Sequence, residues 1–198
     1  MTTKLTITDN ILPQYLSGHE NGTHTDSGLI KFLMEELNCK TMVDIGAGPC
    51  GQTKLARDMG MEVLAVEGDW EVQKEIDDCV IHDFTKSPYI PEKEYDVGYS
   101  CEVLEHIWPI FAPNYMEIFK KCKWAIFTMA VPGQPGWHHV NCRTPEYWVD
   151  VFTFYGFEVD VDITNKMRHA STMEMPYIRQ HGICFRNTRY LDKLGTYE

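Results

Sequence analysis

The sequence predicts an α/β protein built on a mainly parallel sheet. Short runs rich in β-branched residues alternate along the chain with longer amphipathic stretches, which is the pattern of repeated strand-helix units. A chain of 198 residues is long enough for one well-buried domain and too short for two ordinary ones. Hydrophobic residues make up 43% and charged residues 24%, proportions that exclude disordered, collagen-like and coiled-coil chains.

The first predicted unit is a helix followed by a strand, a turn and a second helix. Apolar residues at helical spacing predict a helix over about Ser27–Leu37. The run Thr41–Ile45 predicts the first strand. The next helix follows the turn that ends at Gly51 and stops near Gly60, a residue type that commonly terminates helices.

The alternation continues through the rest of the chain. We expect the remaining strands at Glu62–Val66, Cys79–His82, Tyr95–Ser100, Trp124–Val131, Phe157–Val161 and Gly182–Arg186. We expect the remaining helices at Trp70–Ile76, Asn114–Lys121 and Pro145–Tyr155. The long stretch between the last two strands carries no pattern that predicts a conformation.

Charge and missing signals restrict the function. The chain has 18 Lys and Arg against 29 Asp and Glu, a formal charge of -11, which disfavours nucleic acid as a partner. The sequence contains neither an apolar run that could span a bilayer nor a signal-peptide pattern at its start, so we expect a cytoplasmic protein without a membrane partner. The seven cysteines include no C-x-x-C pair, and we expect neither disulfides nor a bound metal.

A glycine-rich turn follows the first strand. Gly46, Gly48 and Gly51 form G-x-G-x-x-G between a strand and a helix, a context in which glycines let the backbone approach a ligand closely. Glu67 ends the next strand, 21 residues after Gly46, where a carboxylate can accept hydrogen bonds from both hydroxyls of a ribose. Together these features predict an adenosine-containing ligand.

Asp44 distinguishes among adenosine ligands. It lies two residues before the first glycine, where a dehydrogenase usually has an apolar residue, and its carboxylate suits an ammonium group. The segment Val43–Gly51 resembles the first motif of the class I S-adenosylmethionine-dependent methyltransferases. Three later blocks, Ala65–Asp69, His82–Phe84 and Tyr95–Ile107, resemble the ribose-binding, adenine-side and fourth-strand blocks of that family, in the same order.

The resemblance, which covers roughly residues 32–161, implies a fold and a domain organisation. The implied fold is a Rossmann-like, doubly wound, seven-stranded sheet that is mostly parallel and has an antiparallel last strand near its edge. We expect one methyltransferase domain over residues 29–198 and an N-terminal segment, a candidate lid, over residues 1–28. The implied cofactor is S-adenosyl-L-methionine.

The resemblance also implies which residues contact the cofactor. Gly46, Ala47 and Gly48 would lie beside its methionine part. Glu67 would bind the ribose, with Gly68 and Asp69 close by. The residues implied for the adenine are Asp83 and Phe84, and those implied for the wall of the cleft are Ser100, Cys101 and Glu102.

A histidine is the expected general base if the methyl acceptor is a hydroxyl, because its pKa lies near neutrality. His138 and His139 are the catalytic candidates, since they follow the fifth strand at the edge where ligands bind in open α/β sheets. In the alternative interpretation, His139 and Asn141 shape and close the pocket without transferring a proton. For His106, a role in the site and a structural role both remain open.

The expected function is transfer of a methyl group to oxygen or nitrogen of a small-molecule acceptor. The expected partners are that acceptor and, as an open option, a second copy of the chain in a homodimer. One alternative is an NAD(P)-dependent oxidoreductase on a similar sheet. Asp44 and the segment Val103–His106 disfavour this alternative. Another is a cofactor-binding subunit without catalytic activity, because this kind of fold can keep its ligand and lose its chemistry.

Overall fold

The computed structural model describes Leu16 and residues 22–193, so most of the segment expected to form a lid over residues 1–28 lies outside the described residues. Within this part, the strands are β1 (Thr41–Ile45), β2 (Glu62–Glu67), β3 (Val80–Ile81), β4 (Tyr95–Ser100), β5 (Cys122–Phe127), β6 (Phe157–Val159) and β7 (Ile183–Asn187). The α-helices are α1 (Ser27–Glu35), α2 (Gly51–Asp58), α3 (Ala112–Phe119), α4 (Pro145–Phe154), α5 (Val161–Ala170) and α6 (Tyr177–His181). Short 3₁₀ segments are Leu104–His106, Pro109–Phe111 and Thr188–Lys193.

The strands form one seven-stranded sheet in the order β3-β2-β1-β4-β5-β7-β6. Neighbours are parallel from β3 to β5, whereas β7 runs antiparallel to both β5 and β6. This arrangement confirms the expected mostly parallel sheet with an antiparallel last strand near its edge. The strand order reverses between β1 and β4, so the carboxyl ends of these strands flank the crevice in which open α/β sheets bind ligands.

Helices cover both faces of the sheet, as expected for a doubly wound protein. On one face, α3 and α4 complete an aromatic layer in which Phe152 stacks on both Phe127 and Phe185, with ring centroids 4.7 and 4.6 Å away. On the other face, α1, α2, α5 and α6 bury apolar side chains against the strands. Among residues 22–193, no helix combines the length and the apolar character needed to cross a bilayer.

The helix expected over Trp70–Ile76 is absent, and this prediction is wrong. Asp69 Oδ1 accepts hydrogen bonds from the amides of Glu71 (2.7 Å) and Val72 (3.1 Å). The ammonium of Lys74 donates to the carbonyls of Asp69 and Val72. These local side-chain bonds stabilise consecutive bends, because the Lys74 ammonium binds two carbonyls that would accept from main-chain amides in a helix.

The stretch before β7, which carried no predictive pattern, contains α5 and α6. Asp160 caps α5, since its side chain accepts a hydrogen bond from the amide of Ile163 (3.0 Å). The strand expected to extend to Val161 therefore ends at Val159, where this cap begins the helix. The fifth strand is also shorter than expected and ends at Phe127.

Buried Asp26 joins α1 to the segment that follows α5. Its Oδ1 accepts hydrogen bonds from the amides of Leu29 and Thr172, both at 2.9 Å, and its Oδ2 accepts one from the hydroxyl of Ser171. The main-chain amide of Asp26 donates to the side chain of Gln52 in α2 (2.8 Å). One carboxylate thus fixes the start of α1 beside the site described below.

Candidate functional site: a cleft at the ends of β1, β2 and β4

A cavity of about 460 Å³ opens where β1, β2 and β4 end. Sites that bind small molecules and cofactors have volumes of roughly 300 to 1,000 Å³. The cavity is lined by the loop after β1, the segments after β2, β3 and β4, and part of the loop after β5. The lining residues include Asp44, Gly46, Ala47, Gly48, Glu67, Gly68, Asp83, Phe84, Cys101, Glu102, His106, Trp137 and His139.

The loop after β1 depends on two glycines with left-handed backbone conformations. Gly46 has a φ of +72° and Gly48 a φ of +52°, values that residues with a side chain adopt at a cost. A Cβ on Gly46 would lie 2.4 Å from Cγ2 of Val103, so the position has no room for a side chain. A Cβ on Gly48 would meet no atom within 4 Å, which leaves this stretch of backbone open to a ligand.

Glu67 ends β2 with its carboxylate held by two main-chain amides. The amide of Gly48 donates to Oε2 (2.6 Å), and the amide of Asp69 donates to Oε1 (2.7 Å). These bonds orient the side chain and tie the ends of β1 and β2 together. An ionised carboxylate offers about four acceptor positions, and these two amides occupy two of them.

Asp44 is a buried carboxylate at the base of the cavity, with 3% of its surface exposed. Burial raises the pKa of Asp44 from 3.8 to about 6; the hydrogen bond from Thr53 Oγ1 (2.6 Å) opposes this rise, and the charge of Glu67 adds to it. The folded-state pKa exceeds the usual value, so this group makes the protein less stable as the pH rises from about 4 to about 6. A cationic ligand group beside Asp44 would reverse that effect.

An aromatic ring and a carboxylate line the cavity after β3. Phe84 is 6% exposed and packs edge-on against the ring of His82, with centroids 5.2 Å apart. The side-chain amide of Asn114 in α3 donates to the Phe84 carbonyl (2.6 Å) and fixes this segment. Asp83 Oδ1 accepts a hydrogen bond from the amide of Thr85 (2.8 Å), which orients its carboxylate beside the aromatic ring.

The segment after β4 places Glu102 in the cavity wall in a left-handed conformation, with a φ of +56°. Its amide donates to Thr128 Oγ1 and the Thr128 hydroxyl donates to Glu102 Oε1, both at 2.7 Å. Cys101 also lines the cavity. The predicted cofactor residues Ser100 and Asp69 are buried outside the lining; Ser100 ends β4, and Asp69 holds the bends after β2.

The two predicted catalytic histidines occupy different environments. His139 lines the cavity, whereas His138 lies outside the lining and has a left-handed backbone, with a φ of +45°. Nδ1 of His139 lies 3.2 Å from the carbonyl of Gln134. Because a carbonyl only accepts hydrogen bonds, Nδ1 carries the proton in this contact and Nε2 is the basic nitrogen of the neutral ring.

Asn141 holds the loop that carries His139 against the 3₁₀ segment Leu104–His106. The amides of Val140 and Asn141 both donate to the Glu105 carbonyl (3.0 Å), and the Asn141 side chain donates to the Leu104 carbonyl (3.3 Å). Asn141 is 1% exposed. These contacts agree with the interpretation in which Asn141 shapes the pocket.

Sequence reasoning missed three residues that organise the site, namely Thr53, Glu105 and Thr128. The hydroxyl groups of Thr53 and Thr128 donate hydrogen bonds to the carboxylates of Asp44 and Glu102. Thr128 could have been found from the sequence, because it is a polar residue directly after the apolar run of β5. Glu105 gave no separate signal, since its burial depends on the packing of the loop after β5.

The strand order and the cleft define a Rossmann-like class of α/β proteins that differs from the all-parallel dinucleotide-binding sheet by the antiparallel β7. No family model and no curated protein sequence matches the chain. Solved structures do match it. One is magnesium protoporphyrin IX methyltransferase from Synechocystis PCC 6803 with bound S-adenosylmethionine, at 11% identity and a TM-score of 0.55, covering 79% of this chain and 74% of that one.

Two further matches have the same architecture. The S-adenosylmethionine-dependent methyltransferase from Mesorhizobium loti is 13% identical, with a TM-score of 0.52, and the match covers 79% of this chain and 95% of that one. Human N-acetylserotonin methyltransferase is 16% identical, with a TM-score of 0.53, and the match covers 81% of this chain and 50% of that one, so this chain spans about half of the human protein. The chain therefore has the fold of the class I S-adenosylmethionine-dependent methyltransferases, as the motif blocks predicted.

Proposed function

We propose that this protein transfers a methyl group from S-adenosyl-L-methionine to oxygen or nitrogen of a small-molecule acceptor. The observation that carries the proposal is the convergence of Asp44, the glycine loop 46–48 and Glu67 on one cavity. Each of them complements one part of this cofactor. Asp44 offers a carboxylate to the ammonium, the glycine loop offers open backbone to the amino acid moiety, and Glu67 offers a second carboxylate to the ribose. Asp83 and Phe84 then provide a polar and an aromatic contact for the adenine.

Methyl transfer from this cofactor depends more on how the acceptor is aligned than on reactive protein groups. A lone pair on the acceptor atom forms the new bond to the methyl carbon while the sulfur-methyl bond breaks, and that bond's electron pair stays on sulfur as a neutral thioether. The acceptor proton leaves to a base or to solvent. The cofactor carries the activated methyl group, so the protein mainly positions the acceptor in line with the sulfur and excludes water.

The acceptor would occupy the part of the cavity formed by the segment after β4 and the loop after β5. Half-exposed Trp137 and the rings of His106 and His139 line this part. Among the predicted catalytic residues, we assign contact with the acceptor to His139, whose Nε2 is the basic nitrogen, and we retain His138 as a residue that shapes the loop. The acidic chain, with a formal charge of -11, supports a small acceptor over nucleic acid.

The oxidoreductase alternative has less support. Buried Asp44 at the base of the cleft offers a partner for the ammonium of S-adenosylmethionine, a group that a nicotinamide dinucleotide lacks. The antiparallel β7 also departs from the sheet typical of dinucleotide-binding domains. A cofactor-binding subunit without catalysis would use the same cleft, and it is distinguished by the lack of any methylated product in the presence of acceptors.

A thermal-shift panel on the full chain tests the cofactor class. At about 100 times its dissociation constant, a ligand stabilises the folded state by roughly 2.7 kcal/mol, which in a chain of this size raises the melting temperature by about 5 to 10 °C. We expect this rise with S-adenosylmethionine and S-adenosylhomocysteine and none with NAD, NADP or ATP. A rise with NAD or NADP alone would refute the proposal.

Cofactor affinity is expected to fall as the pH drops below about 6. The pKa of Asp44 is raised by burial to about 6, so the free protein binds a proton there at lower pH. The ammonium of the cofactor favours the ionised carboxylate, and affinity should weaken by up to about tenfold per pH unit below that pKa. Calorimetric titrations with S-adenosylhomocysteine between pH 5 and 8 measure the dependence.

Two variants test whether Asp44 causes that pH dependence. Asp44→Asn should bind the cofactor weakly and with little change over this range, which separates Asp44 from the histidines that line the cavity. Asp58→Asn removes an exposed carboxylate on α2 that pairs with Lys54. Its cofactor affinity should depend on pH as that of the unmodified protein does. A pH dependence that persists in Asp44→Asn would assign the effect to another group.

A further inference from the structure

Three potential metal ligands converge beside the proposed cofactor cleft. Glu105, His106 and His139 each offer one ligand atom, and these atoms all lie within 4.8 Å of one another. Ligand atoms on one metal ion, each about 2.0 to 2.2 Å from it, lie roughly 3 to 4 Å apart. The three side chains therefore need only a small contraction to hold an ion. Both histidines face the cavity, and their rings pack edge-on with centroids 5.0 Å apart.

The Glu105 side chain gives a second, independent indication that the cluster binds a cation. Its side chain is 0% exposed, and neither carboxylate oxygen has a hydrogen-bond partner among the residues that the structure describes. Burying an ionised carboxylate without a hydrogen bond or a counter-charge is costly, so such a group takes up a proton, pairs with a charge or coordinates a metal. Glu102 lies near enough for its negative charge to affect Glu105, so the neighbourhood favours a cation further.

The two histidines are arranged as metal ligands usually are. The Gln134 carbonyl accepts a hydrogen bond from Nδ1 of His139, which leaves Nε2 unprotonated for an ion. Such a hydrogen bond to the second ring nitrogen commonly fixes the tautomer of a metal-bound histidine. Nδ1 of His106 is buried and has no partner within residues 22–193.

We propose that Glu105, His106 and His139 bind a divalent transition-metal ion in the wall of the cleft. Two imidazoles and one carboxylate suit Zn²⁺, Mn²⁺, Fe²⁺ and Co²⁺, whereas Mg²⁺ and Ca²⁺ prefer oxygen ligands alone. Three protein ligands leave coordination positions for a further group. This site departs from the sequence expectation that the chain holds no metal, which rested on the lack of zinc-type cysteine spacing.

The role of the ion rests on the proposed function. An acceptor hydroxyl bound to it would lose its proton more readily, because a divalent cation lowers the pKa of a coordinated oxygen. His139 would then act on the acceptor through the ion, and no free histidine base would be needed. The acceptor class that this favours is a molecule with a hydroxyl and a neighbouring oxygen or nitrogen that can chelate the ion.

Titration of the chelator-treated full chain with Co²⁺, without cofactor, tests the site. We expect one equivalent to bind with the weak visible bands of nitrogen and oxygen ligands. Intense near-ultraviolet absorption would instead indicate thiolate ligands from the free cysteines and would overturn the assignment. Glu105→Gln and His139→Ala should each weaken Co²⁺ binding by at least about tenfold. His169→Ala, which removes an exposed histidine on α5, is the matched control and should bind as the unmodified protein does.

A further variant moves His139 without removing it, which keeps the test informative if Glu105→Gln fails to fold. A Cβ on Gly136 would lie 2.2 Å from the His139 ring, so Gly136→Ala should displace the ring and weaken Co²⁺ binding. Unchanged affinity in both His139→Ala and Gly136→Ala would overturn the proposal. The thermal shift with S-adenosylhomocysteine is a separate readout. A thermal shift with S-adenosylhomocysteine but no specific Co²⁺ binding would refute the metal site alone. Specific Co²⁺ binding without a thermal shift would support the metal site and refute the proposed cofactor.

Discussion

Glu67→Ala is expected to weaken binding of S-adenosylmethionine by at least about 100-fold. The carboxylate would accept hydrogen bonds from both ribose hydroxyls, and a hydrogen bond to a charged group contributes about 1.5 kcal/mol or more. Two such bonds amount to about 3 kcal/mol, and 1.4 kcal/mol corresponds to a factor of ten in affinity. Calorimetric titration of the purified variant with S-adenosylmethionine and S-adenosylhomocysteine measures this loss.

Two comparisons separate ligand contact from damage to the fold. Glu67 also accepts hydrogen bonds from the amides of Gly48 and Asp69, so the melting temperature of the variant without ligand must be measured beside its affinity. Glu71→Ala removes the same charge from an exposed position in the bends after β2 and should keep nearly full affinity. If both variants lost affinity equally, net charge rather than ribose recognition would explain the result.

Gly46→Ala is expected to lower the stability of the protein by about 3 kcal/mol. The substitution places a side chain at a φ of +72° and 2.4 Å from the Val103 side chain. Backbone strain of this kind costs about 1 kcal/mol or more, and overpacking a buried contact costs about 1 to 3 kcal/mol. The melting temperature should fall by about 6 to 12 °C, and cofactor binding should be lost at temperatures where the variant stays folded.

Gly133→Ala is the matched control for this substitution. Gly133 has a φ of +85°, but a Cβ there would meet nothing within 4 Å, so the variant carries backbone strain without a clash. We expect a loss of about 1 kcal/mol, or a drop of roughly 2 to 4 °C in melting temperature. Equal drops in melting temperature in the two variants would mean that the Val103 side chain moves aside. The loop would then not require a glycine at position 46 for its close contact with Val103.

Local patterns predicted most of the sheet and the centre of the cleft. The strands, the glycine turn and the carboxylate at the end of β2 all depend on residues that are near one another in sequence, where periodicity and turn chemistry act. Asp44, Gly46, Gly48 and Glu67 all line the cavity. The helix expected at Trp70–Ile76 failed for an equally local reason, since Lys74 binds the carbonyls of Asp69 and Val72 that a helix would use as acceptors.

Two features could not be predicted from local patterns. The stretch between β6 and β7 forms α5 and α6 because apolar residues there pack against the face of the sheet that α1 also covers. Asp69 and Ser100 matched motif blocks, yet both lie outside the cavity lining. A motif specifies the strand end and not the direction of a side chain, and here Asp69 binds amides of the bends after β2 while Ser100 is buried at the end of β4.

The sequence by itself determined the fold class, the position of the glycine loop and the acidic residues at the ends of β1 and β2. Only the tertiary structure decided that Glu105 and His106 meet His139. Their convergence requires the loop after β5 to fold back on the 3₁₀ segment after β4, where the amides of Val140 and Asn141 bind the Glu105 carbonyl. That contact joins residues far apart in the chain, and hydrophobic periodicity carries no information about such pairs.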